Sequence, residues 1–167
     1  MPKIDQGVNG IRYCVAPRTL IFLFNNQENV LLLQGAKNKN IWAEYYNGIG
    51  GHIEAGEDIH EAAERELFEE TGISNVDLIF CGEIMVDVSN DLGVAIFLFK
   101  GRYQKNDFIN SNEGKLNWID LDELPQLNVV EDLPNIVPIV ARYQEGDPFI
   151  IGRYQYTQEG KLVISMR

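Results

Sequence analysis

Three glutamates close together on one predicted helix are the residues of this sequence best suited to chemistry. Glu66, Glu69 and Glu70 lie in residues 58–71, which have the spacing and end signals of a helix. At about 100° per residue, their carboxylates fall within an arc of about 100° on the helix surface. Like charges this close destabilise a helix unless a counter-charge lies nearby. The spacing therefore predicts either a site for a hard divalent cation, Mg²⁺ or Mn²⁺, or a solvated acidic face.

The same helix carries an apolar stripe that places this acidic arc at the edge of the core. Ile59, Ala63 and Leu67 recur at every fourth position and overlap the side of the helix that carries Glu70. Arg65 is the one basic side chain of the segment, so it cannot neutralise all the acids around it. A cation with oxygen ligands would supply the missing charge and leave coordination positions for substrate phosphates and a water.

The charge of the whole chain narrows the choice of partner. The 167 residues include 25 Asp and Glu against 14 Lys and Arg, a formal net charge of −11. Residues 51–73 alone hold eight of those acids and one base. Long nucleic acid or an anionic membrane would need a broad basic face, which this composition does not favour. The expected partner is a small molecule, and monomer and homodimer are both open as the oligomeric state.

Length and composition indicate one globular domain over residues 1–167. Hydrophobic residues make up 45% of the chain, which is typical of an ordinary folded protein. Cys14 and Cys81 form no metal-binding spacing and are expected to be reduced thiols. The chain shows no signal peptide and no apolar run long enough to cross a bilayer, so we expect a soluble, cytoplasmic protein.

Strands and helices are mixed without regular alternation, which favours a compact α/β or α+β sandwich. Asp58 and Glu61 form a capping box and Gly72 is a stop signal, so residues 58–71 are the clearest helix. The loop before it, residues 35–51, is long enough to be functional. The other predicted elements are strands at 19–24, 29–34, 76–88, 94–103, 115–120, 149–156 and 161–166, a helical turn at 121–124 and a helix at 133–143.

Residues 51–73 match the pattern Gly-x5-Glu-x7-Arg-Glu-U-x-Glu-Glu-x-Gly-U, in which U is aliphatic, at every specified position. This segment resembles the Nudix box, and the order of strand hairpins around it is similar to the Nudix fold. The resemblance implies an α/β (α+β) fold in which a mixed central β-sheet is sandwiched between helices. It also implies a hydrolase that cleaves phosphoric anhydride bonds with a divalent metal, Mg²⁺ or Mn²⁺.

The resemblance assigns roles to individual residues around the box. It makes Glu66, Glu69 and Glu70 the metal-binding carboxylates, together with the backbone carbonyl of Gly50. Arg65 would orient these carboxylates through charge-assisted hydrogen bonds. The expected chemistry is in-line attack of a water on phosphorus, with one of the carboxylates as general base, and which one is left open.

Two more acids are expected in the site. Glu57 would brace the junction of loop and helix and take part in the metal network. A later loop often supplies a further catalytic and metal-binding acid, and Glu113 is in the matching place, with Glu123 as its rival. His52, beside the glycines, is open to a phosphate contact or to a solvated loop position. The expected catalytic set is Glu57, Arg65, Glu66, Glu69, Glu70 and Glu113.

The residues before the box indicate a nucleotide substrate. The run 46–51, Tyr-Asn-Gly-Ile-Gly-Gly, is similar to the Trp-Asn-Gly-Phe-Gly-Gly entry of the MutT-type, oxidised-purine nucleoside triphosphatase branch. In that branch an asparagine and a lysine, matched here by Asn47 and Lys37, lie in the base and sugar pocket. Asn47 can offer both a donor and an acceptor to a purine edge, or it can be a turn residue before Gly48.

That branch reads the base with a Trp-Pro-Asp-Asp run, where this chain has Val-Glu-Asp-Leu at 130–133. One acid, Asp132, still matches, so the expected substrate-binding residues are Lys37, Asn47, Gly51 and Asp132. The favoured function is hydrolysis of a nucleoside triphosphate such as 8-oxo-dGTP to the monophosphate and pyrophosphate. Ordinary nucleoside triphosphates, ADP-ribose, a dinucleotide, a nucleotide sugar or capped RNA are alternative substrates. A nucleotide-sensing module without catalysis is the alternative of a different class.

Overall fold

A mixed β-sheet runs through the computed structural model, which describes residues 12–37, 43–110, 112 and 114–167. Strands and helices form in this part of the chain at the following bounds: β1 Cys14–Phe24, β2 Val30–Gly35, β3 Tyr46–Asn47, α1 Ile59–Thr71, β4 Ile79–Asp87, β5 Leu92–Arg102, β6 Gly114–Ile119, α2 Leu133–Arg142, β7 Ile150–Tyr156 and β8 Leu162–Met166.

The sheet is mixed because two of its strand pairs are parallel and the others antiparallel. β1 pairs with β5 in parallel over its whole length, from Cys14 opposite Leu92 to Phe24 opposite Arg102. β4 and β7 form the second parallel pair. The strand order is β3-β2-β1-β5-β4-β7-β8, and β6 pairs with β2 outside this path. The predicted mixed sheet is therefore confirmed.

The side chains of β1 alternate between two cores on opposite faces of the sheet. Leu20 and Phe22 belong to the core that contains the buried residues of α2. Ile21 and Leu23 belong to the core that contains the buried residues of α1. Successive strand residues point to opposite faces, so a strand buried on both sides has a continuous apolar run. The two helices cover the two faces, which confirms the predicted sandwich.

The helix predicted from the acidic segment forms with its predicted caps. Asp58 accepts hydrogen bonds from the backbone N–H groups of His60 and Glu61, and the Glu61 side chain accepts one from the Asp58 backbone. Gly72 ends the helix at a φ of 72°, in the left-handed region that favours glycine. The buried residues Ala63 and Leu67 hold α1 against the sheet, as the apolar stripe predicted.

The largest differences from the predicted strands are at β1 and β3. β1 begins at Cys14, whereas the predicted strand begins at Thr19, because residues 14–18 have exposed side chains and show no apolar pattern. Their strand state comes from backbone pairing with β5. β3 lies inside the predicted loop 35–51, where two residues pair with β2.

The later helical segments also differ in detail. The predicted helical turn at 121–124 is displaced to a 3₁₀ turn at Leu124–Gln126, which has a proline in its first turn. α2 continues through Pro138 and ends at Arg142. Neither α-helix in the described residues combines the length and apolarity that a membrane crossing requires.

Candidate active site

Gly50 and Gly51, here called the glycine pair, run alongside β1 in an extended segment. The Thr19 N–H donates to the carbonyl of Gly51 at 2.9 Å, and the Ile21 N–H donates to the carbonyl of Ile49 at 2.7 Å. Gly50 has a φ of 143°, and a Cβ there would lie 2.3 Å from the carbonyl oxygen of Thr19. This close approach to the β1 backbone requires glycine at position 50.

Two carboxylates of α1 reach the glycine pair. The backbone N–H of Gly50 donates to Glu70 Oε2 at 3.0 Å, and Glu70 is only 8% exposed. The Glu66 carboxylate lies so close to Gly51 that a Cβ on that residue would be 2.4 Å from Glu66 Oε1. A buried carboxylate needs hydrogen bonds or a nearby cation. The loop backbone therefore sets where these two acids stand.

Arg65 is the centre of an ion-pair network around these acids. Its Nε and Nη2 donate to the two carboxylate oxygens of Glu57 at 2.6 and 2.9 Å. Its Nη1 donates to Glu66 Oε1 at 2.8 Å and to Glu69 Oε2 at 3.2 Å. Its Nη2 also donates to the backbone carbonyl of His52 at 2.9 Å. All the N–H donors of the guanidinium are thus used to position acids and the loop.

This network shifts the pKa values of Glu57 and Arg65. Hydrogen bonds from Arg65, helped by the backbone N–H of Glu54, lower the pKa of Glu57 from 4.5 to about 2. The bonds to Glu57 and Glu66 raise the pKa of Arg65. Glu57 is therefore ionised at neutral pH and links the loop before α1 to the helix, which is the geometry that its predicted bracing role requires.

The donor atoms around the glycine pair fit a hard divalent cation. Glu66, Glu69, Glu70 and the Gly50 carbonyl offer oxygen ligands, and that carbonyl accepts no hydrogen bond from the described residues. The Glu69 side chain is 57% exposed and is held by Arg65. No three His, Cys, Asp or Glu side chains in the described ranges converge into a ready cluster for a metal ion. Binding of Mg²⁺ or Mn²⁺ stays a prediction.

A cleft of about 310 Å³ opens beside the glycine pair, which forms part of its wall. Its size and its apolar lining with few polar groups are typical of a small-molecule site. The apolar lining comes from the side of the sheet that packs against α2, and includes Leu20, Val86, Val94 and Ile96. The glycine pair therefore connects this cleft with the acids of α1.

Two more of the predicted substrate-binding residues, Asn47 and Asp132, line the same cleft. Asn47 Oδ1 accepts the N–H of Gly48 at 2.8 Å, so Asn47 is both a turn residue and a cleft residue. Asp132 is 8% exposed, and burial raises the pKa of its carboxyl. It stands at the N-cap position of α2 but forms no side-chain cap there, and it lines the cleft.

Other predicted residues are not brought to the cleft. Lys37 has a side chain that is 85% exposed, pairs with Glu44 at 3.4 Å and is not among the lining residues. Glu113 lies outside the described residues. Glu123 is exposed before the 3₁₀ turn and does not line the cleft either. Their roles in substrate or metal binding stay predictions.

Five polar residues that line the cleft were not predicted from the sequence: Arg18, Thr19, Glu131, Tyr154 and Tyr156. The hydroxyls of Thr19 and Tyr154 are buried and have no well-formed hydrogen bond within the described residues. Burial and the neighbouring Asp132 carboxyl raise the pKa of Tyr154. An unpaired buried group such as the Thr19 hydroxyl costs about 1–3 kcal/mol, and such groups are typical of ligand sites. The aromatic residues near the end of the chain were a sequence signal for Tyr154.

The acidic helix α1 and the cleft meet at the glycine pair, and both lie on a mixed sheet that is covered by two helices. This arrangement is typical of the Nudix class of hydrolases. The NUDIX domain model matches residues 15–139, and the chain belongs to the NUDIX family. Members of this family act on phosphoric anhydride bonds, so the predicted enzyme class is confirmed. A single domain over residues 1–167 stays a prediction.

Individual relatives agree with this placement. The chain is 31% identical over 108 residues to the oxidized purine nucleoside triphosphate hydrolase of Mus musculus, covering 64% of this chain and 67% of the relative. It is 30% identical over 95 residues to the Danio rerio protein of the same name, covering 56% of this chain and 61% of the relative. The crystal structure of the Mutator MutT protein from Bacillus halodurans superposes with a TM-score of 0.73 and 28% identity. That superposition covers 92% of this chain and 97% of the other.

Proposed function

We propose that this protein hydrolyses a nucleoside triphosphate to the nucleoside monophosphate and pyrophosphate, with Mg²⁺ or Mn²⁺ as cofactor. The observation that carries the proposal is the position of the glycine pair. It lines the apolar cleft and at the same time contacts Glu66 and Glu70 of α1. A nucleoside in the cleft would therefore place its phosphates at these acids. An oxidised purine nucleotide such as 8-oxo-dGTP is the favoured substrate.

Residues of α1 and of the loop before it would have three different roles at the phosphates: cation binding, proton transfer and orientation of the acids. Glu66, Glu69, Glu70 and the Gly50 carbonyl would hold the cation, which when bound neutralises phosphate charge and lowers the pKa of a water. One of these carboxylates takes the proton from the water that attacks phosphorus in line. Arg65 holds Glu66 and Glu69 in fixed orientations, since its Nη1 donates to both carboxylates.

The nucleoside end of the cleft supports a purine. Asn47 offers an amide, which can both donate and accept, and Asp132 adds a carboxyl whose pKa is raised by burial. These groups suit a base edge that presents donors and acceptors side by side. The two relatives named as oxidized purine nucleoside triphosphate hydrolases support the same substrate class.

The proposal is tested with a nucleotide panel in Mg²⁺, in which released pyrophosphate and phosphate are measured separately. The panel contains 8-oxo-dGTP, the ordinary nucleoside triphosphates, ADP-ribose, a dinucleotide, a nucleotide sugar and capped RNA. We expect pyrophosphate release and the highest kcat/KM with the oxidised purine. Faster turnover of ADP-ribose or capped RNA would contradict the substrate but not the chemistry. No turnover of any nucleotide would contradict the proposed function and favour a nucleotide-sensing module.

Gly51→Ala is expected to lower the turnover of the preferred nucleotide by about 100-fold, because misplacing a reacting group by about 1 Å can cost that much. The new Cβ would meet the Glu66 carboxylate, whose Oε1 lies 2.4 Å from its position, and that carboxylate must move. The fold should survive, since the flexible end of a side chain gives way and not backbone. Pyrophosphate release and thermal unfolding measure the two effects.

Gly50→Ala is the comparison for this variant. Its Cβ would lie 2.3 Å from the Thr19 carbonyl oxygen, so the β1 backbone must shift and the melting temperature should fall. If Gly51→Ala lowers the melting temperature as much as Gly50→Ala, the loss of activity comes from unfolding. If Gly51→Ala keeps wild-type turnover, the position of Glu66 does not matter for the reaction.

A further inference from the structure

Arg18 differs from the other basic residues near the site because no acid of the described ranges pairs with it. Its Nε and Nη2 donate to Nε2 of His52 at 3.2 and 3.0 Å. No carboxylate lies within ion-pair distance of Arg18 among the residues that the structure describes. The chain has 25 acids against 14 bases, and Glu131 and Asp132 line the same cleft. An arginine without an acidic partner is unexpected in these surroundings.

The other cations considered for the site are already neutralised. Arg65 uses its N–H donors on the carboxylates of the acidic segment and on a loop carbonyl. Lys37 is paired with Glu44 away from the cleft lining. Arg18, by contrast, lines the cleft together with the glycine pair. It is therefore the cation of the described cleft lining whose charge is left for a ligand.

The partner of Arg18 fixes its orientation without neutralising it. A guanidinium has donors only, so Nε2 of His52 is the acceptor in this contact. His52 accepts from two N–H groups of Arg18 and leaves the other three, on Nη1 and Nη2. A guanidinium fork with free N–H groups is suited to the oxygens of a phosphate.

We propose that Arg18, held in place by His52, binds the phosphate chain of the nucleotide at the exposed rim of the cleft. Arg18 forms an isolated bridge with His52 between β1 and the residue that follows the glycine pair, so it lies beside the path of the phosphates. Arg18 is a binding residue, and His52 is a positioning residue that acts through it. The identity of the ligand, a nucleotide polyphosphate, rests on the proposed function.

Arg18→Ala is expected to raise the KM for the preferred nucleoside triphosphate about tenfold, with kcat changed less than about twofold, since a charge-assisted contact is lost in both ground and transition state. Inhibition by inorganic tripolyphosphate should weaken by a similar factor, whereas inhibition by the uncharged nucleoside should not change. Arg102→Ala is the matched control, because Arg102 is an exposed arginine paired with Glu28 at 2.7 Å outside the cleft.

Variants of His52 separate positioning from general damage to the loop. His52→Ala removes the acceptor and should raise the KM towards the value of Arg18→Ala. His52→Gln keeps an acceptor and should restore most of the affinity. The inference is overturned if Arg18→Ala leaves KM and tripolyphosphate inhibition unchanged, or weakens the uncharged nucleoside equally. If the wild type hydrolyses no nucleotide, the proposed function fails. Calorimetry of tripolyphosphate binding then tests the role of Arg18 independently of turnover. Equal or absent binding by wild type and Arg18→Ala then overturns the role of Arg18.

Discussion

Glu70→Gln is expected to lower kcat for the preferred nucleoside triphosphate by at least about 100-fold while the protein stays folded. Glu70 is buried beside the glycine pair and accepts the Gly50 N–H at 3.0 Å. The amide oxygen of a glutamine can accept the same N–H, so the loop keeps its anchor. The negative charge that would hold the cation or take a proton is lost. Pyrophosphate release in Mg²⁺ measures the effect, and thermal unfolding without cation checks the fold.

Glu64→Gln is the matched control for this prediction. Glu64 is on the same helix and carries the same charge, but it is exposed and, among the residues that the structure describes, it does not bond to the glycine pair or Arg65. Its replacement should change kcat by less than about twofold, in line with an ordinary surface substitution. Equal activity of wild type and Glu70→Gln would show that the acidic face of α1 does not take part in the reaction.

Arg65→Lys is expected to lower activity by a similar factor of about 100, since misplaced acids cost that much. The guanidinium meets Glu57 through two nitrogens and reaches Glu66 and Glu69 through the third. A lysine ammonium is a point charge and cannot make all these bonds from one position. Activity in Mg²⁺ and the folded state of the variant are the measurements. Arg142→Lys, at the exposed end of α2, is the control.

The stability of Arg65→Lys relative to wild type should depend on pH in a way that a general loss of stability would not show. Bonds from Arg65 lower the pKa of Glu57 from 4.5 to about 2. A lowered folded-state pKa contributes stability above about 4.5, and this contribution is lost as the pH falls towards about 2. In Arg65→Lys the Glu57 pKa should return towards 4.5, and the stability difference from wild type should close over this window. An NMR titration of the Glu57 carboxyl that stays near 2 in the variant would contradict the network.

The sequence was sufficient to predict the elements whose signals are local. Helix α1 has its N-cap, capping box, apolar stripe and stop glycine within a short stretch, and the structure has the helix between the predicted caps. The apolar run at residues 19–24 predicted a strand, and the structure buries its side chains on both faces of the sheet. The neighbouring positions of Glu66 and Glu70 also follow from this helix, because helical spacing places them on one arc. Their contact with the glycine pair comes from the structure alone.

The cleft could not be predicted to the same extent, because its walls come from distant parts of the chain. Asn47, Asp132 and Tyr154 line one cleft only once β3, the start of α2 and β7 are packed together. Arg18 was missed because the exposed first half of β1 has no apolar pattern and becomes a strand through pairing with β5. Lys37 was expected in the pocket only from the resemblance to the oxidised-purine nucleoside triphosphatase branch, and the structure has it paired with Glu44 at the surface.

The central claim, that the acids of α1 hold a divalent cation beside the glycine pair, is tested most directly by Mn²⁺ binding followed by electron paramagnetic resonance. The titration compares wild type with the triple variant Glu66→Gln, Glu69→Gln, Glu70→Gln, and with Glu64→Gln. We expect wild type and Glu64→Gln to bind Mn²⁺ with the same affinity and the triple variant to lose this binding by at least about 100-fold. Equal Mn²⁺ binding by all three proteins would contradict the account.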